Sequence, residues 1–348
     1  MDNPIRACLK VDDAPSNPTY WWRYQQTAFG YDLPDIGFGG PWRELARAPY
    51  FPARTAELFA DMVEEFNVRG KFSLLPCPAG HGRLDRSVRS IPPAELEGVL
   101  RVVRDRLASR FDITPEVLTH TMALDIETGA LLPHAESAWV SHLCRSGQVE
   151  PLIRYLRHGW SILRNVGIRA RGLTIGGMTD CSNIAEGDLL YNGGHRDTLG
   201  QALLAVETEF DPHCRLSFLF AGTTTMSERA RRWNAPEPVW TSPSGQTLYD
   251  VYSSVGEPFL DIWYGGGDVA AATDALMTPD LSSGLLVEQA EAGRAVSITT
   301  HAQTLHSMGT CRGLAALREA LRRFHERYGR RIQWFTPCEL AQAMAGLK

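Results

Sequence analysis

An α/β fold is what this sequence predicts: a single (β/α) barrel, distorted, with seven or eight parallel strands. Three observations carry that expectation. Short apolar runs of strand character alternate with segments whose apolar residues recur at helical spacing, which is the pattern of βα units and parallel pairing. The 348 residues suit one such barrel, which commonly takes about 250 residues plus insertions. No composition shift, Gly/Ser linker, repeat or low-complexity tract divides the chain, so one domain is expected over 1–348, with a loop insertion at 14–52.

The elements follow in order. Ile5 to Val11 reads as a buried strand, followed by the Pro-, Gly- and aromatic-rich insertion. From Arg54 to Asn67, Leu58, Phe59, Met62, Val63 and Phe66 recur at helical spacing. Lys71 to Leu75 is a second strand, closed by the breaker-rich PCPAGHG. Pro92 and Pro93 open a helix with Leu96, Leu100, Val103 and Leu107 on one face, as proline in a first turn allows. A third strand is expected from Val117 to about Thr121, and a helix from Glu150 to Asn165. Further strands are expected at Gly172 to Ile175, Leu216 to Phe220, Tyr249 to Ser254, Ala295 to Thr299 and Ile332 to Phe335. An amphipathic helix through Leu314, Leu317, Leu321 and Phe324 precedes the last of these, and a short helix ends the chain.

Composition narrows the function classes. Forty acidic against 35 basic side chains leave a formal net charge of −5. That balance excludes a nucleic-acid binder held by a general positive field, which needs clustered Lys and Arg. No run approaches the ~18 apolar residues of a membrane span, and the first residues lack an apolar stretch of secretion-signal length. The seven cysteines form no Cys-x-x-Cys pair. Their odd count and wide spacing point to reduced thiols and a cytoplasmic location.

In a parallel barrel, reacting groups gather where strands end on their C-terminal side. Three such ends carry chemically capable residues: Asp12-Asp13 after the first strand, His120 with Asp125 after the third, and His301, with Gln303 and His306 beyond, after the late strand. Each alone is ordinary, since Asp commonly starts a turn and a single His is usually just a satisfied side chain. Their convergence on one rim is what suggests a site. One carboxylate of the pair can hold a divalent metal while the other takes a proton from water, and an imidazole suits a zinc-class site. Tyr20, Trp21 and Trp22 follow the aspartate pair directly, and aromatic faces suit the apolar faces of sugar rings.

KVDDAP resembles the aspartate-pair motif of the NodB-type polysaccharide deacetylases, carbohydrate esterase family 4 and its relatives. VRGKFSLLP is similar to their second strand, LTHTMALD to their His-Ser/Thr-x-x-His metal motif, VSITTHAQ to the late strand with its acid histidine, and IQWFTPCELAQAM to their closing strand and helix. The resemblance implies a general base at Asp12, metal ligands at Asp13 and His120, and a general acid at His301. It would put another histidine four residues after His120, where this chain has Leu124. Asp125 is the nearest replacement as third ligand, with His81 and His134 as competitors. Such an Asp-His-Asp set suits zinc, and its oxygen content also suits manganese or magnesium. The family's Arg-Pro motif, whose arginine orients the base, is met only by Arg169 or Arg171 without the proline. Arg171 and Asp180, in the run that replaces that motif, join Trp21 and Trp22 as substrate-binding candidates.

The expected function is therefore a metal-dependent hydrolase removing an acyl group, acetyl above all, from a carbohydrate amide or amino sugar. Two alternatives stay open: a glycoside hydrolase on the same barrel using paired carboxylates, and a non-catalytic carbohydrate-binding relative, which Leu124 favours.

Overall fold

The computed structural model describes residues 3–16, 50–175, 194–214, 216–220, 236–251, 253–255, 262 and 266–345. Most of the insertion at 14–52 therefore lies outside the described residues. The N-terminal part comprises β1 (Ile5–Ala14), α1 (Ala53–Glu65), β2 (Gly70–Leu74), α2 (Pro93–Val102), β3 (Phe111–Pro115), β4 (Met122–Leu124) and β5 (Leu131–Ala135). Next come α3 (Glu136–Arg145), α4 (Val149–Asn165), β6 (Leu173–Thr174), α5 (Gly194–Phe210), β7 (Leu216–Phe220), β8 (Glu237–Thr241) and β9 (Thr247–Asp250). The chain continues through α6 (Val269–Leu276), α7 (Leu285–Glu291), β10 (Val296–His301), α8 (Ala302–His306), α9 (Arg312–Tyr328), β11 (Ile332–Trp334) and α10 (Pro337–Ala345).

The central sheet is parallel, in the order β10-β1-β2-β3, with β11 also beside β1. A second sheet runs β6-β7-β9-β8, in which only β8 is antiparallel. Isolated parallel bridges link the two sheets, at Ile113↔Ala170 and Glu116↔Thr174 on one side and Val255↔Ile298 on the other. The all-parallel expectation is thus corrected at β8, which returns through a tight turn at Ser242 to Gln246 and so can only pair antiparallel. A second correction concerns the third strand. It is Phe111–Pro115, and Val117 to Thr121 form a loop in which Val117 and His120 take left-handed backbone (φ 45° and 61°) that no strand accommodates. The β4-β5 hairpin, β8 and helices α3, α5, α6, α7 and α8 have no counterpart in the sequence expectation.

Strands β1, β2, β3 and β10 of the central sheet are buried on both faces, as parallel strands between helices usually are. On β1, Ala7, Leu9 and Val11 join the large core shared with the helices. Cys8, one residue out of phase, joins a smaller inner cluster with Leu216, Phe218, Tyr249, Val251 and Ala295. Cys338, Leu340 and Ala341 of α10 seat on that inner cluster, and the first turn of α10 is held where Asp112 Oδ2 accepts from the Cys338 amide at 2.9 Å. The period of two therefore carries Lys10 and Asp12 of β1 to the inner face above this apolar floor. The inner face becomes polar toward the C-terminal ends of the strands.

Lys10 is fully buried, and its ammonium donates to the carbonyl of Val251. Burial, with the Lys71 charge adding to it, pulls Lys10 from its ordinary 10.5 down to about 7. Above pH 7 the unfolded chain still holds a proton that the native chain releases, so this residue makes stability rise with pH. Lys10→Met is expected to flatten that rise between pH 7 and roughly 8.5, below the main range of cysteine ionisation. Denaturant midpoints of both proteins at the two pH values check it, and parallel pH trends would contradict it.

Candidate metal centre

The site forms at the end of β1, where the pairing with β2 slips between Val11 and Ala14. Asp12 keeps the inward phase and pairs in register with His301 of β10. Simple alternation would turn Asp13 to the opposite face. Its left-handed backbone (φ 72°) instead brings the second carboxylate into the same cluster. Adjacent carboxylates can share one site only through such an irregularity.

The second contributor is Glu116, immediately after β3 and in phase with Asp112 and Thr114. It is 2% exposed, and its Oε2 accepts from the Asp13 amide at 2.9 Å. Ser73 Oγ of β2 lies 2.8 Å from both Asp12 Oδ1 and Glu116 Oε2, its hydroxyl bridging two carboxylates. The third is His120, with Nδ1 3.1 Å from Glu116 Oε1 and Nε2 3.4 Å from Asp13 Oδ1. Asp13, Glu116 and His120 thus offer ligand atoms within 4.8 Å of one another, all three residues buried.

The loop carrying His120 is pinned from outside by Glu136, the first residue of α3. Its carboxyl accepts from the amides of Leu118 (3.1 Å), Thr119 (3.0 Å) and His120 (2.7 Å), and from the Tyr155 hydroxyl (2.7 Å). Those bonds satisfy amides that the left-handed turns leave without a ladder partner. Burial pushes the Glu136 carboxyl up to about 7.

The electrostatics follow from burial and crowding. Asp12 resists the upward push of burial because the Lys71 ammonium contacts its Oδ1 and the His301 charge and Ser73 hydroxyl assist, which hold it below the usual carboxylate range. Burial raises Asp13, with the Asp12 charge adding to it. Burial and the charge of Asp13 lift Glu116 to about 7. Burial lowers His120, favouring the neutral imidazole that can ligate a cation. Among the described residues, three crowded carboxylates face one contacting ammonium, and Asp13 Oδ1 is buried with no hydrogen bond. Its Oδ2 is held by the side-chain amide of Gln303. An orphaned carboxylate oxygen beside a neutral imidazole and a second carboxylate fits a divalent cation, whose ligands would then be Asp13, Glu116 and His120.

Of the residues expected at the site, Asp12, Asp13, His120 and His301 are brought to one end of the sheet. Asp125 is not. It sits in the β4-β5 turn, where its Oδ1 accepts from the amides of Glu127 (2.9 Å) and Thr128 (3.2 Å), and those bonds pull its carboxyl down. The competitors also stay apart from the cluster: half-buried His81 follows β2 in a loop, and His134 is exposed on β5. Arg171 is corrected as well. It lies at the opposite end of β6 from Thr174, paired with Asp211 (2.7 Å) and against Cys338 Sγ of α10 (3.7 Å). Trp21, Trp22 and Asp180 lie outside the described residues.

Sequence reasoning missed Glu116 and Lys71. The four-residue spacing sought downstream of His120 exists upstream, as Glu116-x-x-x-His120. Reading 117–121 as a strand hid it.

No protein-family model matches the sequence, and no curated protein matches it. Solved structures do. They share this chain's mixed α/β fold with its mostly parallel central sheet. One match is a protein assigned to the polysaccharide deacetylases, from Mycobacterium smegmatis, with a TM-score of 0.54 at 12% identity, covering 99% of this chain and 92% of that one. Another is Puue allantoinase, with a TM-score of 0.50 at 11% identity, covering 98% and 90%. At such identities the likeness is one of fold. No helix among the described residues is long and apolar enough to cross a membrane.

Proposed function

We propose that this protein is a hydrolase of acyl–nitrogen bonds, removing an acyl group such as acetyl from a carbohydrate amide or a related amide. The observation that carries the reading is the buried Asp13, Glu116 and His120 cluster with Asp12 directly beside it. The shared fold with a protein assigned to the polysaccharide deacetylases and with an allantoinase supports it. The parallel bridges between the two sheets support a distorted barrel, with the cluster at the rim formed by the C-terminal strand ends.

When bound, a divalent cation supplies Lewis acidity at the scissile carbonyl and to water. Zinc suits the imidazole, and manganese or magnesium suit the two carboxylates. Asp12, kept as a carboxylate by Lys71 and Ser73, takes the proton of the attacking water. His301, whose backbone pairs with Asp12 across β1 and β10, gives a proton to the departing nitrogen. Gln303 and the Glu136-pinned loop keep Asp13 and His120 in place. Trp21, Trp22 and Asp180 complete the proposal on the substrate side.

Purified protein supplied with Zn²⁺ or Mn²⁺ and N-acetylglucosamine oligosaccharides is expected to release acetate and to stop when EDTA is added. Release undiminished by EDTA would overturn the metal assignment. Glycosidic cleavage without acetate would favour the carboxylate-pair glycosidase instead.

A further inference from the structure

Lys71 has no place in the chemistry so far beyond its contact with Asp12. It is a lysine in the middle of a buried parallel strand, 0% exposed. Its ammonium meets Asp12 Oδ1, and it donates to Thr174 Oγ1 of β6 at 2.6 Å. Thr174 in turn is 2.9 Å from Thr114 Oγ1 of β3. Side chains of β1 and β6 thus contact this ammonium from β2, and β3 braces the β6 hydroxyl. Burying an ammonium this completely is costly unless it is paired and hydrogen-bonded. Its neighbours here are the Asp12 carboxylate and, through Ser73, Glu116.

We infer that Lys71 is a positioning residue, the counter-charge supplied by β2 that orients the Asp12 carboxylate and offsets one negative charge of the Asp12, Asp13 and Glu116 cluster. This rests on the functional reading above and deepens it. A purely structural lysine would make the fold depend on it and nothing more. A counter-charge also opposes a cation bound nearby, so its removal has an effect of opposite sign on metal binding.

The test uses the full chain with Zn²⁺ and Mn²⁺ as probes, by titration calorimetry. Lys71→Met is expected to bind the ions about tenfold more tightly, because a buried positive charge has been removed, while acetate release falls through kcat rather than KM. Lys71→Arg should keep the wild-type metal affinity. If Lys71→Met folds poorly, the neutral pair Lys71→Met/Asp12→Asn removes both charges together. It should recover the melting temperature in EDTA and bind metal within a few-fold of wild type, since no net charge has changed. Unchanged or weaker metal binding by Lys71→Met, or additive melting losses in the double variant, would overturn the inference. Wild-type protein that binds neither ion would overturn the functional reading, and the role of Lys71 at a metal centre with it. The pairing with Asp12 would still be judged by the melting cycle in EDTA.

Discussion

Asp13→Asn is expected to lose the bound divalent ion and to lower acetate release by about 10²–10³-fold or more, the scale on which a single electrostatic stabiliser of an oxyanion acts. The same substitution should leave the metal-free fold intact or make it slightly more stable. Asp13 is a buried carboxylate raised by burial and by its neighbour Asp12, with an oxygen that no hydrogen bond satisfies. A neutral amide relieves that repulsion. Opposite effects on metal-loaded and metal-free protein are the signature. Wild type should melt higher with Zn²⁺ than in EDTA, by about 2.7 kcal/mol of stabilisation when the ion is at a hundred times its Kd. The variant should melt alike in both. Retention of one ion per chain by purified Asp13→Asn would remove Asp13 from the ligand set. His120→Ala should behave likewise toward metal, although it opens space in a buried site.

Glu136→Ala is the second large effect. It deletes the acceptor for three backbone amides and for the Tyr155 hydroxyl, all buried. Each orphaned buried donor costs about 1–3 kcal/mol, so a loss of about 3 kcal/mol or more is expected even after partial relaxation. The loop then loses what holds the left-handed residues Val117 and His120, and metal affinity should fall about 10–100-fold, as it does when partners of a ligand are removed. Glu136→Gln, which keeps one acceptor oxygen, should fall between. Urea midpoints together with metal titration separate the two consequences. Full metal affinity in a Glu136→Ala protein that has lost stability would show that the loop organises itself without this carboxylate.

Much of the framework was legible because hydrophobic periodicity is local. β7 lies where expected, and α4 buries Leu152, Ile153, Leu156, Trp160 and Leu163 as its spacing predicts. Asp12, Asp13, His120 and His301 could be picked out because each stands at or just beyond the end of an apolar run, where parallel α/β folds place chemistry. Asp125 failed for an equally local reason. The same carboxylate that could ligate a metal can cap the turn two residues on, and the sequence carries both possibilities at once. Arg171 failed because a basic residue beside a strand gives no indication of which end of the sheet it serves.

The chain by itself determined the alternation of strands and helices and four of the residues that gather at one end of the sheet, since these follow from periods of two and 3.6 along a local stretch. Only the tertiary structure decided that Glu116 completes the cluster, that Asp13 turns back to join Asp12, that Lys71 meets the Asp12 carboxylate, and that Glu136 pins the loop of His120. Those outcomes depend on a slipped register and on left-handed turns whose amides are held by side chains 16 to 103 positions away. Such backbone is unfavourable in isolation and persists only where distant partners over-determine it.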